Sequence, residues 1–294
     1  MNTTFWGPSG WQFLHILTFI YPETPSFNDK VKMREFMNLL CFILPCKYCR
    51  LSFTKYIKSC SIDDYLDSRT TIVEWLYKIH NKINKKLRIQ GFCKHSNPEL
   101  SSVIKHYEAD IEKIYKILNN TNTNTNTNTK QNEQTRAKET INYICNRGAQ
   151  FLGSIVFNYQ GYFTNCHTGN EKVRIVAVYH TFFNSIIPLI CSYISKFCKD
   201  GKDCIARYKE NMPKYNIRSI LSQNEPYTKL VNWFYECDDL CTIKLIYGTE
   251  ENYQNQFNKH IVMSCDNPKS NTKGKTCRAG FIKSRTQSTR KNLM

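Results

Sequence analysis

Apolar residues recur at helical spacing through most of the first 118 positions, and the breaks between runs fall on residues that start or stop helices. Trp11, Leu14, His15 and Thr18 share one face of a segment that Pro8 opens and Pro22 closes, which predicts a first helix. After Ser26 and Asn28, a second stripe of Val31, Phe36, Met37, Leu40, Cys41 and Leu44 runs to Pro45. A third helix is expected from Cys46 to Ile57. Thr71-x-x-Glu74 reads as a capping box opening a fourth that runs through Leu87. Pro98 stands at a first-turn position before a fifth, in which Leu100, Val103, Ile104, Tyr107, Ile111, Ile114 and Leu118 keep the helical period.

From Asn119 to Thr129 the chain alternates Asn and Thr, a polar run with nothing to bury, and is expected to be a linker. Beyond it, Ile141, Ile144, Cys145, Gly148, Leu152, Ile155, Val156 and Tyr159 again recur at helical intervals. The expected class is all-α: an N-terminal bundle of four to five helices at 1–118, a linker at 119–133, a second, mostly helical domain at 134–263, and a basic flexible tail at 264–294. A length of 294 residues suits two such domains, each with its own core. Residues 175–195 carry no charge and are long enough to span a bilayer. His180, Asn184, Ser185 and Pro188 in their middle raise the cost of insertion, so a buried, Pro-kinked helix is expected instead.

Charge changes this picture little. Of the net +17, eight Lys and Arg lie beyond Pro268, where no acid offsets them. Such a tail could hold nucleic acid or an anionic surface without sequence preference, but no base-reading motif accompanies it. The abundance of Lys, Asn, Ile and Tyr also matches the bias of an AT-rich genome. The N-terminus has no basic region followed by an apolar core, so no cleavable secretory signal is expected. Fourteen cysteines without an export signal direct attention to thiol redox chemistry or zinc.

Pro45-Cys46-Lys47-Tyr48-Cys49 places a dithiol at the expected start of a helix, where unsatisfied N–H groups and the positive end of the dipole favour thiolate. Spacing alone leaves redox work and half of a zinc site level. A polar stripe of Tyr77, His80, Asn81 and Asn84 on the fourth helix is either a solvated face or the edge of a site for a flat heteroaromatic ring. Trp11 and His15, one turn apart, fit a core or the same site.

Taken together, Trp6-Gly7-x3-Trp11-x2-Leu14-His15 with Tyr21-Pro22, then Pro45-Cys46-x2-Cys49, then His80-Asn81-x-Ile83-Asn84-x-Lys86-Leu87, closely resemble the Erv/ALR family of FAD-linked sulfhydryl oxidases over roughly the first hundred residues. The added C-terminal region and the composition look like the oxidases of large DNA viruses, which implies the host cytoplasm or the virion. The resemblance implies a helical bundle holding FAD non-covalently, with Cys49 next to the flavin and Cys46 attacked by substrate. Trp6, Gly7, Trp11, His15, Tyr21, His80, Asn81, Asn84 and Lys86 would line the cofactor, and no metal is expected. Dithiol protein substrates, molecular oxygen yielding hydrogen peroxide, and a homodimer follow from the same likeness. The competing expectation is a zinc-stabilised or basic nucleic-acid-binding interaction module.

Two positions depart from the family pattern. Ser52 stands where many members have a flavin-contacting His, and Tyr77 stands where many have a cysteine bridged to one after the helix. Cys93 lies near that second position and is either free or paired elsewhere, with Cys60 a candidate. Cys237/Cys241 and Cys265/Cys277 are candidates for the second, mobile dithiol that family members often use.

Overall fold

The structure, a computed structural model, describes residues 3–91, 95–119, 129–164, 168–197, 217–223 and 225–261. Its helices are α1 Thr3–Phe19, α2 Phe27–Ile43, α3 Lys47–Ser59, α4 Arg69–Ile89, α5 Leu100–Leu118, α6 Thr129–Arg147, α7 Ala149–Thr164, α8 Gly169–Ile194, α9 Ile217–Leu221, α10 Pro226–Glu236, α11 Ile243–Tyr247 and α12 Glu250–Ile261, with short 3₁₀ turns at Ile62–Tyr65 and Ser195–Phe197. No strand occurs among the described residues. The fold is all-α throughout its described length.

Local chemistry accounts for the ends that position the site. Ser26 caps α2 in a reciprocal box with Asp29, satisfying first-turn N–H groups. At the other end Pro45 cannot continue the helix. The box opening α4 lies one turn before Thr71-x-x-Glu74: Ser68 is the N-cap and Thr71 its partner. That earlier start is fixed by Thr71 Oγ1 donating to the Tyr65 carbonyl and Arg69 Nε donating to the Tyr21 carbonyl. Helix α1 likewise begins ahead of Pro8. Its extra turn is anchored by Phe5, stacked 4.0 Å from His260, and Trp6, 5.8 Å from Phe151.

The hydrophobic core does not divide at the Asn/Thr run, whose residues 120–128 lie outside the described set. One continuous cluster runs from Trp6 to Phe257. Helix α2 packs along α8, and α1 is covered by α4, α5, α6 and α7. Phe13 meets Phe151 at 6.2 Å and Phe36 stacks on Phe182 at 5.5 Å. Ser192 donates to the buried Asp29 carboxylate at 2.8 Å, and Tyr193 donates to the Asp29 carbonyl at 3.1 Å. Helix α8 is long and apolar enough to cross a membrane, yet half of its most apolar stretch is buried inside the fold. Pro188 lies within it, and Tyr179, Phe182, Phe183, Ile186 and Ile190 are among the residues it buries.

A close approach to α1 occurs at Gly148, between α6 and α7. A Cβ there would sit 2.8 Å from Cβ and Cγ of Phe13, inside van der Waals contact with atoms that cannot swing away. Gly148→Ala should therefore destabilise the protein by about 1–3 kcal/mol through overpacking. Thermal unfolding of the purified variant checks this; an unchanged midpoint would mean that α1 is free to move off α7.

Candidate active site

The dithiol sits where the bend between α2 and α3 is held from both sides. Cys46 is the N-cap of α3, with extended backbone and no side-chain cap, and Cys49 lies in the first turn. Arg50 Nη1 donates to the Leu44 carbonyl at 2.6 Å, folding back across Pro45, while the Arg50 amide closes the first helical bond to the Cys46 carbonyl at 3.0 Å. Helix α3 contains no acidic residue and carries Lys47, Arg50, Lys55 and Lys58. Lys47 and Arg50 thus share the first turn, the positive end of the helix, with the two cysteines. Cys46 is only 2% exposed and Cys49 is half-buried.

Helices α1 and α4 bring a set of rings together. Trp11 and His80 stack with centroids 3.8 Å apart and planes 12° from parallel. His15 Nε2 lies 3.2 Å from His80 Nδ1, and on its other side His15 stacks on Tyr107 of α5 at 4.9 Å. Two short stacks are therefore joined by an imidazole–imidazole hydrogen bond. Burial lowers the His15 pKa to about 3, assisted by the charges of His80 and His106, and burial lowers that of His80 to about 4. Both rings are neutral near pH 7, each offering one donor and one acceptor. Among the described residues, His15 Nδ1 and Trp6 Nε1 are buried without a partner.

Lys86 Nζ donates to Ser52 Oγ at 2.6 Å, joining α4 to the position one turn beyond Cys49. Residues three apart share a helix face, so the Cys49 side of α3 looks toward α4. Ser52, where a histidine is common in the resembling family, here binds the helix that bears His80. Asn81 and Asn84 are half-buried on α4, and a Cβ on Gly7 would meet open space. Trp6 and Tyr21 make their contacts elsewhere. Trp6 packs on Phe151, and the fully buried Tyr21 donates to the Leu66 carbonyl at 3.0 Å and meets Tyr193 edge-on.

Tyr107 and Ser52 join the site without having stood out as site residues. Tyr107 sits in an apolar helical stripe that reads as core, and only its neighbour His106 hints at polar surroundings. Tyr77 Oη donates to the Pro98 carbonyl at 2.9 Å, and Arg88 Nη1 reaches Asn97 Oδ1 at 2.8 Å, so two hydrogen bonds tie α4 to the approach of α5. Cys93 lies outside the described residues, as do Cys265 and Cys277; Cys237 and Cys241 are buried. Among the described residues no group of three or more His, Cys, Asp or Glu side chains is placed to hold a metal ion.

The structure is thus a helical bundle with a CxxC at a helix start and, on the neighbouring helices α1, α4 and α5, a nest of neutral imidazoles and aromatic rings. Residues 8–105 match the Erv1 / Alr family model, and over this part the chain is similar to that family. Similar proteins include the mitochondrial FAD-linked sulfhydryl oxidase ERV1 of Saccharomyces cerevisiae, 38% identical over 86 residues, 29% of this chain and 44% of that protein. The probable FAD-linked sulfhydryl oxidase R368 of Acanthamoeba polyphaga mimivirus is 34% identical over 29% of this chain and 59% of its own. The FAD-linked sulfhydryl oxidase of African swine fever virus is 25% identical over 35% and 87% respectively. The chain spans about half the length of the first two relatives.

The depressed histidines make stability depend on pH. Below about 6.5 the unfolded chain protonates both rings, whereas the folded chain refuses the protons until the pH nears about 4 for His80 and about 3 for His15. The unfolded state binds more protons in that window, so stability falls as pH falls, by up to about 1.4 kcal/mol per pH unit for each ring. Denaturant titrations between about pH 7 and about pH 4.5 should show this slope, and it should flatten in His15→Gln or His80→Gln.

Proposed function

We propose that the chain is an FAD-linked thiol oxidase that forms disulfides in protein substrates. The observation that carries this reading is the joint placement of the Cys46/Cys49 dithiol and the Trp11–His80–His15–Tyr107 ring nest on packed helices of the part similar to the Erv1 / Alr family. The residues present fit the cofactor. Among the described residues His15 Nδ1 is buried without a partner and calls for a polar atom on a ligand edge, and the Trp11–His80 stack leaves its outer faces for a flat ring to pack on. His15, Trp11, His80, Asn81 and Asn84 would hold the rings, and Lys86 would supply positive charge for an anionic group.

The protein's own chemistry is thiol–disulfide exchange. A substrate thiolate attacks Sγ of Cys46 in the Cys46–Cys49 disulfide, the S–S bond breaks, and Cys49 departs as thiolate. A second substrate thiolate then attacks the substrate sulfur of the mixed disulfide and releases Cys46. Substrate leaves with a new disulfide, and its two protons and electron pair now rest on the Cys46/Cys49 dithiol. The chemistry that bound FAD supplies is uptake of that pair and its transfer to molecular oxygen as hydrogen peroxide. Arg50 holds the bend that presents Cys46, and the positive end of α3 stabilises the departing Cys49 thiolate. Cys46 is the more buried sulfur, so the substrate must part the bend to reach it.

Purified protein should be yellow, and anaerobic dithiothreitol should bleach its visible band. Cys46→Ser and Cys49→Ser should each abolish oxygen uptake with a small dithiol while retaining FAD. Colourless protein with stoichiometric zinc would overturn the reading in favour of an interaction module. The roles separate in a trapping experiment: Cys49→Ser should accumulate a mixed disulfide with substrate through Cys46. Preferential trapping by Cys46→Ser would reverse the two roles.

A further inference from the structure

A second group of cysteines lies far along the chain from the CxxC. Helix α6 runs beside the turn at 237–242 that joins α10 to α11, and three successive ties set their register. Lys138 pairs with Asp239 at 3.2 Å; the Cys145 thiol neighbours that of Cys241 and helps to hold it protonated; and Asn146 clamps Thr242, its Oδ1 accepting from the Thr242 amide at 2.9 Å and its Nδ2 donating to Thr242 Oγ1 at 2.6 Å. Neighbouring residues on one element thus meet neighbouring residues on the other. Cys145 and Cys241 are both fully buried, and Cys237, whose carbonyl accepts from the Cys241 amide at 3.3 Å, is 6% exposed.

We propose that Cys145 and Cys241 form a buried disulfide that staples α6 to the 237–242 turn. This site is distinct from the Cys46/Cys49 centre and does not depend on the activity proposed for it. The register sets the two thiols side by side through backbone and side-chain bonds that need no cross-link. The oxidant is a disulfide, either a small-molecule disulfide or an oxidised protein dithiol. The Cys145 thiolate attacks it and releases one thiolate. The Cys241 thiolate then attacks the Cys145 sulfur and releases the second. Two protein thiols become one disulfide, and the oxidant is reduced to two thiols. Burial pushes the Cys241 thiol well above its ordinary pKa, so the folded, reduced pair reacts slowly. Exchange therefore belongs to folding, before the turn docks on α6. Because α6 also packs on α1 and α5, the closed staple secures the C-terminal helices to the bundle that carries the CxxC.

The register excludes a bond within the turn as the expected product. Cys237 and Cys241 are the ends of a helix-like turn, which brings side chains into contact without the geometry of a bond.

The test is a peptide map of the full chain, isolated without reductant with free thiols trapped by N-ethylmaleimide and digested by trypsin unreduced. Residues 139–147 contain Cys145 alone, and residues 230–244 contain both Cys237 and Cys241. These two peptides should be recovered linked, with one maleimide on the longer one. Cys237→Ser should keep the link, and Cys241→Ser should abolish it. Dithiothreitol under native conditions should reduce Cys46–Cys49 while leaving the link in place. Peptide 139–147 carrying maleimide, or a bond closed within 230–244, would overturn the proposal. Both outcomes are independent of FAD content and oxygen uptake, so they stand apart from any failure of the oxidase reading.

Discussion

Helix α1 has almost no free side. Every residue from Phe13 to Tyr21 is buried, and the helix meets α4 and α5 on one side and α6 and α7 on the other. A surface helix can rotate or slide at little cost, but one enclosed all round is fixed by the sum of its neighbours. Close approach at Gly148 fixes the depth of α1 through Phe13, and that depth in turn sets where Trp11 and His15 meet His80. The C-terminal helices thereby contribute to the geometry of a cleft whose ring partners all lie in the first hundred or so residues.

The ring nest and the dithiol are suited to different parts of one task. Around the histidines, burial removes charge, leaving neutral donors and acceptors that can line a flat ligand without competing for protons. Around Cys46 and Cys49 the helix start and the α3 cations concentrate positive potential, which favours the anionic sulfur needed for exchange. The Lys86–Ser52 hydrogen bond joins these two environments across α3 and α4.

Helical class, the first five helices and the candidate residues that the structure brings together were legible in the sequence because each rests on local rules. Proline and Ser/Asp caps punctuate helices within a few residues, and Trp11, His15, Cys46, Cys49 and His80 stand in short motifs of fixed spacing. Boundaries moved where distant groups intervened. Arg69 reaching the Tyr21 carbonyl and Phe5 reaching His260 lengthen helices beyond their local signals. The shared core was hidden for the same reason. No periodicity in 1–118 announces that Phe13 and Phe36 will be covered by Phe151 and Phe182. Tyr107 was read as packing, and the structure makes it packing as well as a site wall. Trp6 and Tyr21, drawn to the cofactor by resemblance, make their own contacts with Phe151, Leu66 and Tyr193.

Tyr77 adds a different kind of consequence. At the position where many related domains carry half of a cystine, a phenol donates to the Pro98 carbonyl and ties α4 to the approach of α5. A hydrogen bond has no reduction potential. Its strength is the same in a reducing compartment as in an oxidising one, and no passing thiol can exchange with it. Beside a centre whose sulfurs are proposed to cycle between two oxidation states, this strap is redox-silent. It holds the wall of the cleft equally well at both ends of the cycle.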